Sequence, residues 1–233
     1  MAEYTVKPIA HMESDFKTKF GIPRQAGIVD ALEGRIVFEP EYRSREALRG
    51  IEGYSHLWLI WRFSAAEREG WSPTVRPPRL GGNARVGVFA TRSPFRPNSL
   101  GLSCVRLIRV EEDGSLRVAG ADLMDGTPIF DIKPYLPYAD CRPEASCGFA
   151  PDAGATLRVE YSTGAYAAVP EDKRAGLTGI LENDPRPRYQ GDSGRVYALE
   201  FADMEIKFSV EDGVVKVLSA DKINQNSFRE EGK

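Results

Sequence analysis

An arginine-rich segment without a single acidic residue is the part of this sequence best equipped for chemistry on anions or planar groups. The guanidinium group is a rigid planar fork that can form two parallel hydrogen bonds with a carboxylate or a phosphate. Within residues 76–103, prolines fix backbone angles and paired glycines allow positive ones, which predicts shaped loops rather than floppy ones. The arginines of this segment are Arg76, Arg79, Arg85, Arg92 and Arg96.

The charge distribution points the same way. Residues 76–110 contain seven arginines and no lysine, aspartate or glutamate. The whole chain carries a formal net charge of −3, so the remainder of the chain carries −10. A cationic segment on an otherwise acidic protein is typical of a surface that binds a polyanion. The alternative that stays open is that these arginines pair with the chain's own carboxylates.

Other common active-site patterns are missing from the sequence. There is no Walker A loop, no GxGxxG fingerprint after a first strand and no GxSxG elbow. His11 and His56 are the two histidines, and no pair of cysteines has the spacing of zinc ligands. We therefore expect no metal site and no hydrolytic triad. We expect instead chemistry carried by an activated small molecule that the protein binds and positions.

The bulk composition is that of a soluble globular protein. The chain has 233 residues, of which 42% are hydrophobic and 28% charged. No apolar run approaches the roughly 20 residues of a membrane span, and the first residues have neither a basic nor an apolar signal region. Three cysteines do not make a disulfide framework. These features predict a cytoplasmic protein without a membrane partner.

The arginine-rich segment needs strands to position it, and the first part of the chain is rich in strand patterns, about seven in all, with almost no helix. Residues 4–9 alternate as an edge strand, and the aromatic run at 54–63 predicts a central strand. Strands at 86–90 and 100–111 are expected to flank a loop at 91–99. Regular short strands at this spacing predict a barrel or a sandwich.

Past residue 138 the pattern changes. Residues 139–155 lack periodicity and are expected to form a linker. Residues 156–233 predict a small α+β unit, with a helix at 170–183 and three closing strands. The predicted division of the chain is therefore 1–138, 139–155 and 156–233.

Four ordered motifs resemble one known family. They are GIPRQ at 21–25, YSHLWLIWRF at 54–63, TVRPPRLGGNARVGVFATRSPFRPNSLGLS at 74–103 and DLMDGTPIFDIKPYLPYAD at 122–140. Together they resemble the TsaA-like family, S-adenosylmethionine-dependent methyltransferases that modify threonylcarbamoyl-adenosine beside the tRNA anticodon. The resemblance covers about the first 150 residues. The string DPRP at 184–187 is similar to the C-terminal domain of bacterial members.

This resemblance implies a mainly β protein, with a single-sheeted β-barrel as the N-terminal domain and a small α+β C-terminal domain. It also implies a homodimer that binds S-adenosylmethionine near the subunit contact. By the same resemblance, glycines let the backbone approach the cofactor and Arg92 meets its methionine carboxylate. The residues implied to contact the cofactor are Ala26, Gly27, Ile28, Ser64, Ala65, Arg92, Leu102, Gly120, Ala121, Asp122, Leu123, Met124 and Asp125.

The reaction implied by the resemblance is methyl transfer to the exocyclic nitrogen of an adenine beside the tRNA anticodon. Because the carbamoyl group delocalises the lone pair of that nitrogen, removal of its proton assists the transfer. Candidate bases or orienting groups are Asp125, Asp131 and Tyr135. A structural role stays open for each of them, since Asp125 can simply cap the Asp-Gly turn.

Phosphates on both sides of the anticodon loop require cations on the protein. The candidates for RNA binding are Lys17, Lys19, Arg24, Arg76, Arg79, Arg96, Arg186 and Arg188. Two alternatives to this function stay open. One is a non-catalytic barrel that binds tRNA, and the other is a methyltransferase that acts on a different acceptor, either a small molecule or a protein.

Overall fold

The structure is a computed structural model that describes residues 3–66, 70–150, 154–186 and 194–223. Its first part is a closed barrel of six strands, and the chain is mainly β, as predicted. The strands are β1 (Ala10–Glu13), β2 (Glu33–Phe38), β3 (His56–Arg62), β4 (Thr74–Val75), β5 (Val86–Gly87), β6 (Leu100–Val110), β7 (Leu116–Ala119), β8 (Pro128–Pro134), β9 (Arg158–Tyr161), β10 (Tyr197–Phe201), β11 (Met204–Glu211) and β12 (Val214–Lys222). The α-helices are α1 (Pro137–Asp140), α2 (Thr163–Ala168) and α3 (Glu171–Glu182).

The barrel closes in the order β1-β2-β7-β6-β3-β8. In β3, every second residue points inward, so that Leu57, Leu59 and Trp61 are buried while their neighbours face outward. Strand β6 runs antiparallel to β3, and Gly101 lies opposite Trp61 in that register. The indole ring occupies the space that a side chain at this glycine would need. The interior is therefore a packed core rather than a channel.

The second unit is a four-stranded sheet in the order β10-β11-β12-β9, with α2 and α3 packed on it. Its core also includes Phe16, Val29 and Leu32, which precede β2 in the chain. The rings of Phe16 and Phe201 have centroids 5.5 Å apart, and Lys173 Nζ lies 2.6 Å from Asp15 Oδ2. The loop before β2 is thus held by the C-terminal unit. The exact domain boundaries stay a prediction.

Several elements differ from the sequence-based expectation. The strand predicted at 4–9 begins only at Ala10, because Pro8 has no N–H to give to a ladder. The strand predicted at 86–90 ends at Gly87, where a 3₁₀ turn (Val88–Ala90) takes over. Helix α2 was not predicted. The predicted polar tail at 224–233 lies outside the described residues. None of the helices within the described ranges is both long and apolar enough to cross a bilayer.

Candidate functional site

The loop at 91–99, which carries Arg92 and Arg96, has a defined shape. Thr91 Oγ1 donates to the carbonyl of Val88 at 2.8 Å and accepts from the backbone N–H of Ser93 at 3.2 Å. The hydroxyl of Ser93 in turn accepts from the N–H of Phe95 at 3.3 Å. Successive turns stabilised by Ser and Thr hydroxyls fix the backbone without regular secondary structure. The prediction of a shaped arginine-bearing loop agrees with this geometry.

Arg92 reaches from this loop across to the segment before β2. Its Nη1 donates a hydrogen bond to Oε1 of Gln25. Burial raises the pKa of the Asp122 carboxylate, and the positive charge of Arg92 is among the influences that oppose this rise. Three segments that are far apart in the chain therefore meet at one rim of the barrel.

Asp122 is fixed from inside the barrel. The hydroxyl of Ser103, which is buried, donates to Asp122 Oδ1 at 2.5 Å, and Trp61 Nε1 donates to that hydroxyl at 2.9 Å. Burial raises the pKa of Asp122, while the hydrogen bonds from Ser103 and from the backbone at Asp122 and Ala26 oppose that rise. The site thus holds a carboxylate that is costly to ionise and that is oriented by several donors.

A pair of glycines brings the backbone of the loop at 26–28 against the end of β7. The N–H of Gly27 donates to the carbonyl of Gly120 at 2.8 Å, and both glycines have positive φ, 76° and 73°. A Cβ on Gly120 would lie 3.2 Å from the Cα of Gly27, which is closer than ordinary packing allows. A Cβ on Gly27 would meet no atom of the described residues within 4 Å. Gly27 therefore borders open space at the rim.

The rim is the feature that we treat as the candidate site. It consists of Gln25, Gly27, Arg92, Ser103, Gly120 and Asp122, and we call it the glycine rim. Of these, Gly27, Arg92, Gly120 and Asp122 were predicted from the sequence, and Ala26 lies beside them through its backbone contact with Asp122. Gln25 and Ser103 were missed. A serine at an inward position of the apolar strand β6 was a signal that could have identified Ser103.

Other predicted cofactor residues lie around the rim or away from it. Ser64 and Ala65 are exposed and lie in a 3₁₀ turn after β3. Just before this turn, the N–H of Phe63 donates to the carbonyl of Ser99 at 2.9 Å. Leu102 is 57% exposed on the outer face of β6. Three further residues are engaged in packing or turns: Ala121 and Leu123 are buried in the barrel, and Ile28 packs on the core of the C-terminal unit. The Met124 carbonyl accepts from the N–H and hydroxyl of Thr127.

The three candidate bases are in separate places. Asp125 accepts from the N–H of Ser14 at 3.0 Å and from Lys17 Nζ at 2.8 Å. Asp131 pairs with Lys133 at 2.8 Å. Tyr135 packs against Trp58, with ring centroids 5.7 Å apart, and burial raises the pKa of its hydroxyl. Within the described ranges, none of the three forms a hydrogen bond or an ion pair with Arg92 or Asp122.

The predicted RNA-binding cations are only partly free to bind phosphate. Lys17 is paired with Asp125, and Arg186 makes two hydrogen bonds to Asp184, at 2.7 and 2.9 Å. Arg24 donates to the carbonyl of Arg186 at 3.4 Å. Lys19 and Arg76 are exposed, whereas Arg96 is half-buried and bound to backbone carbonyls. The side chain of Arg79 and the whole of Arg188 lie outside the described residues.

A second cleft, with a volume of about 630 Å³, separates the barrel from α3. Charged groups of both signs line it, but they largely pair with one another, as Lys173 does with Asp15 and Lys17 with Asp125. Within the described ranges, no group of three or more His, Cys, Asp or Glu residues is arranged to hold a metal ion. The glycine rim is therefore the better candidate site for a polar organic ligand.

Comparison with known proteins adds to this geometry. A sequence model of the tRNA-methyltransferase O N-terminal domain matches residues 11–141, and one of the TrmO C-terminal domain matches residues 154–223. A tRNA (adenine(37)-N6)-methyltransferase of Escherichia coli (strain K12) is 39% identical over 231 residues, which covers 94% of this chain and 98% of the relative.

Two further matches come from Pseudomonas aeruginosa. One is described as a putative S-adenosylmethionine-dependent methyltransferase, RcsF, and is 41% identical over 211 residues, covering 87% of this chain and 91% of the relative. The other is a crystal structure of TrmO, which superposes with a TM-score of 0.78 at 33% identity and covers 94% of this chain and 99% of that one. The likeness therefore extends over both the barrel and the C-terminal unit.

Proposed function

The chain belongs to the tRNA-methyltransferase O family, and on that basis we propose that it methylates the N6 nitrogen of adenosine 37 in tRNA with S-adenosylmethionine as methyl donor. The finer substrate is an adenosine that already carries a threonylcarbamoyl group on that nitrogen. The observation that carries the proposal is the glycine rim, where Arg92 binds Gln25, its charge acts on Asp122, and Gly27 borders open space.

The residues of the rim fit such a cofactor. Its methionine end carries a carboxylate, which suits the guanidinium of Arg92. Its ribose hydroxyls and amino group are donors, which suit the oriented carboxylate of Asp122. Gly27 leaves the space beside its Cα open for a ligand. When bound, S-adenosylmethionine supplies a methyl group that its sulfonium makes electrophilic.

The chain assists the acceptor nitrogen in two ways. Binding brings the nitrogen close to the methyl group, and a neighbouring base receives its proton. Asp122 is the carboxylate at the rim, but in this proposal it accepts hydrogen bonds from the cofactor and is not assigned as the base. Asp125 and Asp131 are already paired with Lys17 and Lys133. The catalytic roles of Asp125, Asp131 and Tyr135 therefore stay predictions.

The distribution of ion pairs supports tRNA as the macromolecular substrate. Arg106 pairs with Asp30 at 2.9 Å and Arg109 pairs with Glu111 at 2.9 Å, as the alternative reading of the charge pattern expected. Within the described ranges, no ion pair is recorded for the arginines before them in the segment: Arg76, Arg85, Arg92 and Arg96. In this proposal Arg92 binds the cofactor carboxylate, and the charge of Arg76, Arg85 and Arg96 is available to phosphates of a single-stranded loop.

A homodimer is part of the proposal. On the outer face of β3 and β6, Ile60 lies opposite Leu102, and Arg62 lies opposite Leu100. The two leucines are 57% and 44% exposed, which is unusual for adjacent large apolar side chains on a strand. This face, followed by the Ser64–Ala66 turn, is where a second copy would bring the cofactor close to the subunit contact. Sedimentation velocity of Leu102→Glu, compared with wild type, tests the proposed dimer.

We place the enzyme in the cytoplasm, where tRNA is processed.

Methyl transfer to defined tRNA pools tests the function. The protein is incubated with S-adenosylmethionine labelled in the methyl group and with total tRNA from cells that have or lack the threonylcarbamoyl modification. Label in the modified pool alone supports the full proposal, whereas label in both pools supports only adenosine 37 as the target. Cofactor binding without transfer to RNA favours a different acceptor. Absence of cofactor binding favours a non-catalytic tRNA-binding barrel.

A further inference from the structure

Two exposed aromatic rings and an arginine form a ridge beside the loop at 91–99. Trp71 is 53% exposed and Phe89 is 71% exposed, and their ring centroids lie 6.2 Å apart. The guanidinium carbon of Arg96 lies 5.8 Å from the centroid of the Phe89 ring, within cation–π range. We call these three residues the aromatic ridge. Trp71 and Arg96 line a pocket of about 260 Å³ together with Ser99.

Strand pairing and a buried residue hold the rings of the aromatic ridge in place. The strands β4 and β5 pair Thr74 with Gly87, so the segments that carry Trp71 and Phe89 are held side by side. Val88, which is 1% exposed, anchors the turn next to Phe89, and its N–H donates to the carbonyl of Pro73 at 2.9 Å. This arrangement keeps two large rings in solvent, where apolar surface is costly unless a ligand covers it.

Arg96 is pre-oriented in the same structure. Its Nη1 donates to the carbonyl of Thr91 at 2.7 Å and to that of Val88 at 3.3 Å. Within the described ranges, the hydrogen bonds of Arg96 involve Nη1, and its Nε and Nη2 are further donors. Loss of side-chain entropy on binding is therefore already reduced.

The chemistry of the ridge selects its ligand. Two flat exposed rings lie next to a guanidinium, and Phe89 and Arg96 belong to the segment 76–103, which has five arginines and no acid. These features suit an unpaired nucleobase followed by its phosphate. A protein partner is less suited, because it would have to meet this concentrated positive charge with its own acids. Arg92 of the glycine rim and Arg96 of the ridge are four residues apart on one loop. A base at the ridge would thus be a neighbour of the base at the rim.

We propose that Trp71, Phe89 and Arg96 form a stacking site for one unpaired base of the anticodon loop that flanks the methylated adenosine. The inference rests on the proposed function, and it adds the residues that position the RNA. Stacking on the ridge holds the neighbouring nucleotide, so that the target adenine reaches the rim unstacked. The ridge contributes to RNA affinity, and it does not contribute to cofactor affinity.

The test compares Trp71→Ala, Trp71→Phe, Phe89→Ala and Phe89→Leu with wild type. Tyr166→Ala is the matched control, because Tyr166 is a 51% exposed ring with the Arg174 guanidinium 4.3 Å above it, in the C-terminal unit. Each protein is titrated with an anticodon stem-loop RNA and, by calorimetry, with S-adenosylmethionine. Methyl transfer is measured over a range of tRNA concentrations. Thermal melting verifies that each variant is folded.

We expect Trp71→Ala and Phe89→Ala to weaken RNA binding by about 5- to 100-fold, the usual effect of losing one stacked base. Their KM for tRNA rises while kcat and cofactor affinity stay near wild type. Phe89→Leu resembles Phe89→Ala, because a leucine has no flat face. Trp71→Phe retains affinity but loses most of the quenching of tryptophan emission by RNA. Tyr166→Ala binds RNA as wild type does.

Three outcomes would overturn the stacking site. The first is RNA affinity within twofold of wild type in both folded alanine variants. The second is equal quenching by RNA in wild type and Trp71→Phe. The third is dissociation of a dimer in Phe89→Ala, which would assign the ridge to a second copy of the chain. A wild-type protein that binds RNA but methylates none of it would instead refute the proposed function and leave the binding comparison interpretable.

Discussion

The hydroxyl of Ser103 joins the barrel core to the carboxylate of Asp122. It donates to Asp122 Oδ1 at 2.5 Å while Trp61 Nε1 donates to it at 2.9 Å. An indole on β3 thereby orients, through β6, an acid that follows β7. Because each donor has its acceptor, the arrangement places a partly desolvated carboxylate at the rim without leaving the buried hydroxyl or the indole N–H unpaired.

Replacement of this acid should change how stability depends on pH. Burial raises the pKa of Asp122 above its ordinary value of 3.8, so the folded protein keeps a proton that the unfolded chain has already released. The resulting stabilisation is complete below the unfolded pKa and is lost as the pH rises through the higher folded pKa. The free energy of unfolding of Asp122→Asn should therefore increase relative to wild type between pH 4 and neutrality, as measured by urea denaturation.

Asp131→Asn is the control for this experiment, since it removes one carboxylate from the exposed outer face. A difference between Asp122→Asn and wild type that shrinks or stays constant with rising pH would contradict the assigned burial of Asp122.

Gly27→Ala should selectively impair cofactor binding. At Gly27 the added methyl group would enter open space at the rim, and φ is 76°. Gly114→Ala is the matched control, because Gly114 has φ of 81° and also no neighbour within 4 Å of an added Cβ. Both variants carry a similar backbone cost of about 1 kcal/mol. Only Gly27→Ala should weaken S-adenosylmethionine binding, by about tenfold or more, equivalent to 1.4 kcal/mol. Equal cofactor affinity of the two variants in calorimetry would argue against a ligand at Gly27.

Arg92→Ala should weaken the binding of the cofactor rather than the binding of RNA. A charge-assisted hydrogen bond contributes about 1.5–3 kcal/mol, so loss of the guanidinium should reduce cofactor affinity by at least an order of magnitude. Calorimetry with S-adenosylmethionine measures the loss. Arg109→Ala is the control, because Arg109 is held by Glu111. Unchanged cofactor affinity in Arg92→Ala would contradict a contact between Arg92 and the cofactor.

The sequence predicts the barrel better than the site, and particular residues explain why. Strand β3 is predictable because the length and aromatic content of the apolar run 54–63 are local features that favour a strand. The contact between Ser103 and Asp122 is not, because it depends on how β6 and β7 pair across the turn between them. Contact of Arg92 with Gln25 joins residues 67 positions apart in the chain. Such partners are set by the closed barrel and not by any local pattern.

Helix α2 shows a different limit. Ser162 caps it by accepting from the N–H of Ala165 at 3.2 Å, which is a local signal. The following residues include Thr163 and Gly164, which are weak helix formers, so the cap alone did not predict a helix. Packing of Ala165 into the C-terminal core supplies the missing stabilisation.

Removal of an unpaired arginine should lower the salt dependence of RNA binding. Arg76 is exposed and has no ion pair recorded within the described ranges, so Arg76→Ala should weaken stem-loop binding and reduce the slope of log K against log salt by about 0.7. Arg158→Ala, whose guanidinium pairs with Glu160 in the C-terminal unit, is the control and should leave the slope unchanged. Identical slopes for Arg76→Ala and wild type would place the RNA elsewhere.

The central claim is that the glycine rim holds the methyl donor, and a crystal structure with S-adenosylhomocysteine, the product form of the cofactor, tests it most directly. We expect ligand density beside Gly27 and Gly120, with the ligand carboxylate on Arg92 and a ligand donor on Asp122. Density in the cleft next to Lys173 and Glu33 instead, with the rim empty, would contradict it.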